Sequence, residues 1–519
     1  MPIEAVTRAS GAAPRSATLT QRASLNALQS LLDYAAKLGV GLVVTPLLVN
    51  GLGRSLYGVW EMLARLIGYM SAADGRPTEA LRLVVAAQQN ATDPAVHRRT
   101  VGSALVVWLL FCPVIFAIGA VLVWLAPAVT KVPPPLHATV RLAAVALLVS
   151  FLLGTLAAVP ESVLRGMNLG YKRMGLQAGL NVVGGALTAG AIYAGLGLVG
   201  VAAAQAALFG LLGLGFWVLV KRYVPWFGVA RPSRAEVRAL VGMSAWIAGG
   251  EVIAKLALAS DVLVLGMVVS SAVVTTYVLT GFPARIALGL YHFSATAAQP
   301  GLGAVIGKQQ YGRAGHLRGE LLVFTWLFVT AAGATILLWN RSFLALWVGL
   351  ENYAGMWPNA LIMLAAAQTA VVRCDSYILD AMLQPRLRVM VGVGAAALII
   401  AASVILTPAL GIVGICLGVL AGRCVQTVAY PILVERCLGH RPGLPLRRIV
   451  RPLVVMGLMY AGAAYLGDQL LVRRWLEWAA GVALTLALAL GVAFAAGLTP
   501  EARRAVFNRS RALVGGIRG

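Results

Sequence analysis

Fourteen apolar runs of about twenty residues or more follow one another through the chain, separated by Pro, Gly and clusters of charge. They lie at about 25–50, 55–88, 100–126, 138–162, 172–194, 197–220, 239–267, 271–301, 316–339, 356–382, 387–407, 411–434, 449–467 and 475–498. A bilayer core is about 30 Å thick, which takes roughly 20 residues of helix. No water reaches the backbone there, so repeated short crossings are helices. Only 12% of the 519 residues are charged and 60% are hydrophobic, where a soluble surface carries about 25% charge. The fold class expected is an all-α polytopic membrane protein with about fourteen transmembrane helices. The segments between the runs reach only about 15–20 residues, which is the length of loops and leaves no attached catalytic domain.

The net charge of +24 comes from 42 Lys and Arg against 18 Asp and Glu. Basic residues gather in alternate loops: Arg98 and Arg99, Arg165 to Arg173, Lys221 to Arg238, Lys308 to Arg318, Arg386 and Arg388, and Arg436 to Arg451. The intervening loops hold only Arg54, Lys131, Arg341, Arg473 and Arg474. Cytoplasmic loops carry the excess of Lys and Arg, so both termini are expected in the cytoplasm. Charge at the ends of spans meets anionic lipid, which makes membrane lipids the expected partner and excludes nucleic acid. Residues 1–23 read as a disordered cytoplasmic tail and 499–519 as a basic cytoplasmic tail. The five cysteines are scattered, with no metal or disulfide spacing. No cofactor, no metal and no enzymatic activity are expected.

One half of the chain is repeated in the other. Tyr57-Gly-Val-Trp-Glu-Met-Leu-Ala-Arg65 and Tyr277-Val-Leu-Thr-Gly-Phe-Pro-Ala-Arg285 share Tyr and Ala-Arg at the same spacing, 220 residues apart. One run earlier, Asp33 to Lys37 and Glu251 to Lys255 share an acid and a Lys four residues on. The expected organisation is a first lobe of helices 1–6 (24–221), a cytoplasmic linker (222–238) and a second lobe of helices 7–12 (239–435). Helices 13 and 14 with their basic loop follow (436–498). Six spans return the chain to the same side, so the two pseudo-symmetric lobes share an orientation and leave a central cavity between them.

Nine basic residues are left over once the loops and tails are assigned: Lys37, Arg65, Arg76, Arg82, Arg141, Lys255, Arg285, Arg373 and Arg423. At roughly 2.5–3.5 kcal/mol each, turning all of them to lipid would cost on the order of 25 kcal/mol, so they face protein or water. Arg82 and Arg141 lie near span ends and can snorkel. Lys37, Arg65, Arg76, Lys255 and Arg285 sit on repeat-related helices, and a cationic lining selects an anionic substrate. Asp33, Asp74 and Glu251 are the acids expected for coupling to a proton or sodium ion. The four-residue spacing of Asp33 with Lys37 and of Glu251 with Lys255 equally suits pairs that only neutralise each other. Arg373, Asp375 and Asp380 read as an ion-pair network, and Asp74-Gly-Arg-Pro77 interrupts the second run.

The opening Thr45-Pro-Leu-Leu-Val-Asn-Gly-Leu-Gly53 with Tyr57-Gly-Val-Trp60 resembles that of Wzx-type polysaccharide flippases, in the multidrug/oligosaccharidyl-lipid/polysaccharide exporter superfamily. Glu161-Ser-Val-Leu-Arg-Gly-Met-Asn-Leu-Gly-Tyr171 and Leu346-Trp-Val-Gly349 add to the likeness, which covers about residues 25–435. The resemblance implies twelve core helices in two lobes, often with two more. It implies movement of an undecaprenyl-diphosphate-linked oligosaccharide across a bacterial inner membrane by alternating access, with polysaccharide polymerase machinery as a partner. Asp74-Gly-Arg-Pro77 departs from the family's usual Asp-Leu-Gly. The alternatives are a peptidoglycan-precursor flippase or a cation-coupled multidrug exporter of the same superfamily, and more distantly a membrane enzyme acting on a lipid-linked glycan.

Overall fold

A computed structural model describes residues 19–89, 93–173, 175–297, 299–382, 385–439, 446–500 and 503–504. Side chains are described throughout these except at 19–27, 72–73, 246, 250–259, 293–301, 385–386 and 446–449. Most of both tails lies outside the described residues, where the expectations for them remain.

Every regular element among the described residues is helical. The first half comprises α1 (Leu19–Gly68), α2 (Met70–Ala73), α3 (Pro77–Ala87), α4 (Pro94–Thr130), α5 (His137–Gly166), α6 (Leu176–Tyr193) and α7 (Gly197–Tyr223). The second comprises α8 (Arg234–Val268), α9 (Ser271–Thr280), α10 (Phe282–Ala297), α11 (Gln299–Gly307), α12 (Tyr311–Trp347), α13 (Met356–Ala381), α14 (Pro385–Leu410) and α15 (Ile412–Cys437). Two more follow, α16 (Leu446–Gln469) and α17 (Trp475–Val492).

Local chemistry sets the boundaries. Gly53, at φ 77°, turns the chain inside α1 between the first two apolar runs. Asp93 caps α4 by accepting from the Ala95 amide (2.8 Å), with Pro94 at the first helical position, where its missing N–H costs nothing. Ser233 and Glu236 form a reciprocal capping box at the start of α8. Gly281 with Pro283 bends α9 against α10 by 49°.

Eleven described helices are long and apolar enough to cross a membrane, or twelve if the bent α9–α10 pair is one span. The fourteen apolar runs divide differently because α1 carries the first run and much of the second as one helix, and because α8, whose side chains at 250–259 lie outside the described residues, is not among the twelve. The remainder of the second run is cut at 74–76, leaving α3 only 11 residues long.

Large apolar side chains point outward along these helices, among them Leu109, Trp124, Leu214, Ile405, Leu458 and Leu476. In lipid such a surface carries no hydrophobic penalty, and contact between helices falls to small residues. On α15, Gly414, Gly418 and Gly422 recur every four residues against α14, where a Cβ on Gly414 would stand 2.4 Å from the Leu406 carbonyl oxygen. In the first half α5 packs on α7, and α1 and α7 pack on α6; in the second, α13 and α14 pack on α15, and α16 and α17 on α12. Helix α8 touches both α4 and α14, and α1 touches α9.

The two halves touch at both ends of the spans: α8 packs on α3 and α4 at the basic end, where Arg99 pairs with Glu236 (3.2 Å), and a second set of contacts lies at the end that carries Arg54. Arg54 donates from Nη2 to Thr276 Oγ1 (2.8 Å), and its carbonyl accepts from Thr275 Oγ1 (2.6 Å). The Ser55 and Ser271 hydroxyls lie 3.1 Å apart. Gly58 makes the approach possible, since a Cβ there would lie 1.8 Å from the Ser271 carbonyl oxygen. Trp347 of α12 adds a bond from Nε1 to the Leu42 carbonyl (2.7 Å) and packs at a tilt against Phe282, with ring centroids 4.5 Å apart.

A polar strip between the helix pairs

Arg65 and Arg285 lie within electrostatic reach of each other. In the second part of α1, Tyr57, Glu61 and Arg65 recur at four-residue steps on one face. The Tyr57 hydroxyl donates to Glu61 Oε1 (3.2 Å). Arg285, in α10, donates from Nη2 to the Val278 carbonyl (2.8 Å), which the Gly281 bend leaves open to it, and lies over the Phe282 ring at 5.8 Å. Its electrostatic neighbours are Glu61, Arg65, Tyr57 and Tyr277. Arg285 is exposed although protein surrounds it, so its guanidinium borders open space among the helices.

Polar groups continue from there into the second half. Asp261 of α8, which charge spacing did not single out, accepts from the Tyr277 hydroxyl (2.7 Å). Tyr277 and Asp261 act electrostatically on Arg423 of α15, which donates to the Ala365 carbonyl (2.7 Å) and to Thr369 Oγ1. Arg423 also feels Arg373 of α13. Arg373 Nη1 lies 3.1 Å from His292 Nδ1, and the Tyr377 hydroxyl 2.7 Å from the same nitrogen. Four guanidiniums against the carboxylates of Glu61 and Asp261 leave the strip positive, which favours phosphate or carboxylate oxygens.

The other expected site residues are placed elsewhere. Lys37 does not join Arg65 and Arg285. It lines a cavity of about 270 Å³ between α1, α5, α6 and α7, together with Glu161, Gln177, Asn181 and Gln205. Asp33 is buried beside that cavity and accepts from Gln29 Nε2 (2.9 Å), while its Oδ1 has no hydrogen bond. Asp74 accepts from the Arg76 amide through Oδ1 (2.8 Å). This closes a turn in which Gly75 (φ 67°) and Arg76 (φ 52°) are left-handed before Pro77 starts α3. Glu251 and Lys255 lie on α8, but their side chains lie outside the described residues.

The ion pairs differ from those the spacing suggested. Asp375 pairs with Arg318 of α12 through two bonds (2.7 and 3.2 Å), not with Arg373, and Arg318 also reaches Glu435 of α15. Charge clustering alone assigns Arg318 to a loop. Its four-residue spacing from Ala314, which is buried with it on α12, is the signal that was available. Asp380 pairs with Arg388. Arg82 is held by Glu79 (2.8 Å), which with Glu161 also faces Arg165, and Glu161 binds Arg173. Among the described residues no group of three His, Cys, Asp or Glu could hold a metal ion.

Known structures share this fold. Similarity extends to the lipid II flippase MurJ in an inward closed conformation (TM-score 0.67, 12% identity, 90% of this chain and 98% of that one). It extends also to a multidrug resistance MATE family transporter of the MOP superfamily in an inward-facing conformation (TM-score 0.57, 15% identity, 80% and 97%). A third is a mutant of the Vibrio cholerae MATE transporter VcmN (TM-score 0.57, 16% identity, 81% and 98%). No curated protein sequence matches the chain. The sequence profile of the family described as polysaccharide biosynthesis protein matches residues 26–303, more than half of the chain. The chain therefore belongs to the polysaccharide biosynthesis protein family.

Proposed function

We propose that this protein moves an undecaprenyl-diphosphate-linked oligosaccharide from the inner to the outer leaflet of a bacterial cytoplasmic membrane for assembly of surface polysaccharide. The observation that carries the reading is the positively charged strip in which Arg65 and Arg285 are electrostatic neighbours. Their guanidinium forks suit a diphosphate, and family membership supplies the glycan lipid. The lipid tail stays in the bilayer while the headgroup crosses.

The two lobes work by alternating access in this reading. The contacts of Arg54, Ser55, Thr275 and Thr276 close the outer end, and both termini are cytoplasmic. Proton or sodium exchange drives the cycle, with Asp33, Asp74 and Glu251 as its candidate acids. Arg76 and Lys255 remain candidate headgroup ligands, and polysaccharide polymerase machinery is the expected acceptor of the product.

The test is to delete the gene and follow lipid-linked oligosaccharide by leaflet-specific labelling. Material should collect on the inner leaflet. Arg285→Ala and Arg65→Ala, expressed at the level of the parent, should fail to clear it, and Arg285→Lys should clear it only in part because Lys lacks the fork. Full clearance by both alanine variants would remove the headgroup role. Unchanged lipid-linked glycan after deletion, with altered tolerance of toxic cations, would replace the flippase by an exporter.

A further inference from the structure

We infer that the cavity inside the first helix bundle binds a single sugar ring of the glycan, with Lys37 facing an acidic substituent on that ring. The inference rests on the reading of the cargo as a lipid-linked glycan and adds a site apart from the Arg65–Arg285 strip.

Size comes first. A cavity of about 270 Å³ is far more than a bare ion fills and has room for one six-membered sugar. The lining supplies the matching chemistry. Gln177 and Asn181 lie four residues apart on α6, and Gln205 faces them from α7. Each carboxamide offers one carbonyl acceptor and an amine with two donors, while a sugar hydroxyl donates once and accepts through two lone pairs. Carboxamides therefore bind hydroxyls in either sense.

Two of these groups lack protein partners. Gln177 Oε1 is a buried acceptor and Asn181 Nδ2 a buried donor, neither with a hydrogen bond, and Asn181 is only 8% exposed. A buried polar group without a partner is costly, so a ligand presenting hydroxyls to both is favoured. Phe209 and Phe216 complete the wall with apolar surface for the C–H face of the ring.

Charge separates a sugar from a metal ion. Glu161, the carboxylate lining the cavity, is engaged by Arg173 and faces Arg165 at 3.8 Å. Lys37 has neither an ion pair nor a hydrogen bond among the described residues, although Asp33 lies one turn away and feels its charge. Asp33 does not line the cavity and accepts from Gln29, so the unmatched charge presented by the lining itself is positive. A sodium ion would meet the Lys37 ammonium directly, whereas a uronic acid brings the carboxylate that it lacks.

The test uses the full chain in nanodiscs, with saturation-transfer NMR to free glucuronate and free glucose. Transfer should reach the ring protons of both, with glucuronate binding roughly ten-fold more tightly for one charge-assisted bond. Asn181→Leu and Gln205→Leu, which put apolar bulk where the carboxamides stand, should abolish transfer from both sugars. Lys37→Met should remove the preference for glucuronate and keep the glucose signal. Each variant's thermal unfolding midpoint is measured alongside, so that a variant that fails to fold is set aside and the others decide.

Absence of transfer from the parent protein, or transfer unchanged in folded Asn181→Leu and Gln205→Leu, would overturn the inference. So would thermal protection by sodium, lost in these variants, with no transfer from either sugar. If sugars bind here but deletion leaves lipid-linked glycan unchanged, the flippase reading falls and the site stands. If deletion traps glycan on the inner leaflet and no sugar binds, the site falls alone.

Discussion

Replacing Gly58 by Ala should unfasten the end of the molecule that carries Arg54. The new Cβ would stand 1.8 Å from the Ser271 carbonyl oxygen, against about 3.4 Å for ordinary contact, so the second part of α1 and the start of α9 must separate by about 1.6 Å. Half of that displacement, carried one turn along α1, stretches the Ser55–Ser271 contact from 3.1 Å to about 3.9 Å. The whole of it breaks the Arg54–Thr276 and Thr275–Arg54 bonds as well, at 2.8 and 2.6 Å. Three hydrogen bonds at about 0.5–1.5 kcal/mol each put the loss at roughly 1.5–4.5 kcal/mol. That moves the balance of closed and open forms by about ten-fold to a thousand-fold. Ser55→Cys with Ser271→Cys reads it out, because the two hydroxyl oxygens are close enough for the cysteines to join when the end is shut. The cross-link should form readily in the parent and arrest transport until it is reduced. Gly58→Ala should slow its formation by at least about ten-fold. Equal rates in the two backgrounds would show that Gly58 is not what lets the halves meet.

Asp375→Ala leaves the Arg318 guanidinium, whose side chain is 9% exposed, with Glu435 alone. Truncating one partner of a buried pair costs about 3–5 kcal/mol, so the thermal unfolding midpoint in detergent should fall clearly, and an unchanged midpoint would mean that the triad adds nothing to stability. Glu236, outside the apolar stretch of α8, has its carboxyl held below the usual range by the Ser233 backbone and hydroxyl and by Arg99. A carboxylate lowered in this way contributes stability above its unfolded value near 4.5 that is lost as pH falls through the lower folded value. Amide exchange over 234–240, corrected for its intrinsic pH dependence, should therefore speed up below about pH 4.5 in the parent but not in Glu236→Gln. Together with Arg285→Ala and the cavity variants, these substitutions probe the closure, the ion triad, the cap, the headgroup strip and the cavity separately.

Helices were legible because a twenty-residue apolar run has one way to satisfy its backbone in lipid. The repeat pointed to Arg65 and Arg285 because equivalent positions of two related halves fall near a shared axis, and in the structure the two guanidiniums are electrostatic neighbours. Interruptions were legible too: Gly53 turns the chain, and Asp74 to Pro77 breaks the second run. Ion-pair partners were not. Local spacing pairs Arg373 with Asp375, but residues two apart on a helix point about 160° away from each other, so Asp375 meets α12 while Arg373 meets His292 of α10. Lys37 and Lys255 looked equivalent to Arg65 and Arg285 in charge alone, and charge does not say into which space a helix face opens. The carboxamides of the cavity carry no net charge and so left no mark in a search for buried ions. Their signal was the four-residue spacing of Gln177 and Asn181 in an otherwise apolar helix.

The closure beside Arg54 has a consequence for speed. Its bonds are made by hydroxyls, carbonyls and a single guanidinium, whereas the Arg318 triad is a buried ionic clasp. Ionic clasps come apart only when whole charges are stripped of their partners. Hydrogen bonds of about 1 kcal/mol yield one at a time, each step little more than thermal energy. Such a seam unzips without a tall barrier, and its strength scarcely depends on ionic strength. A carrier that must part its two halves once for every cargo molecule gains turnover from a fastening of this kind, while the triad keeps α12, α13 and α15 in register through the same cycle.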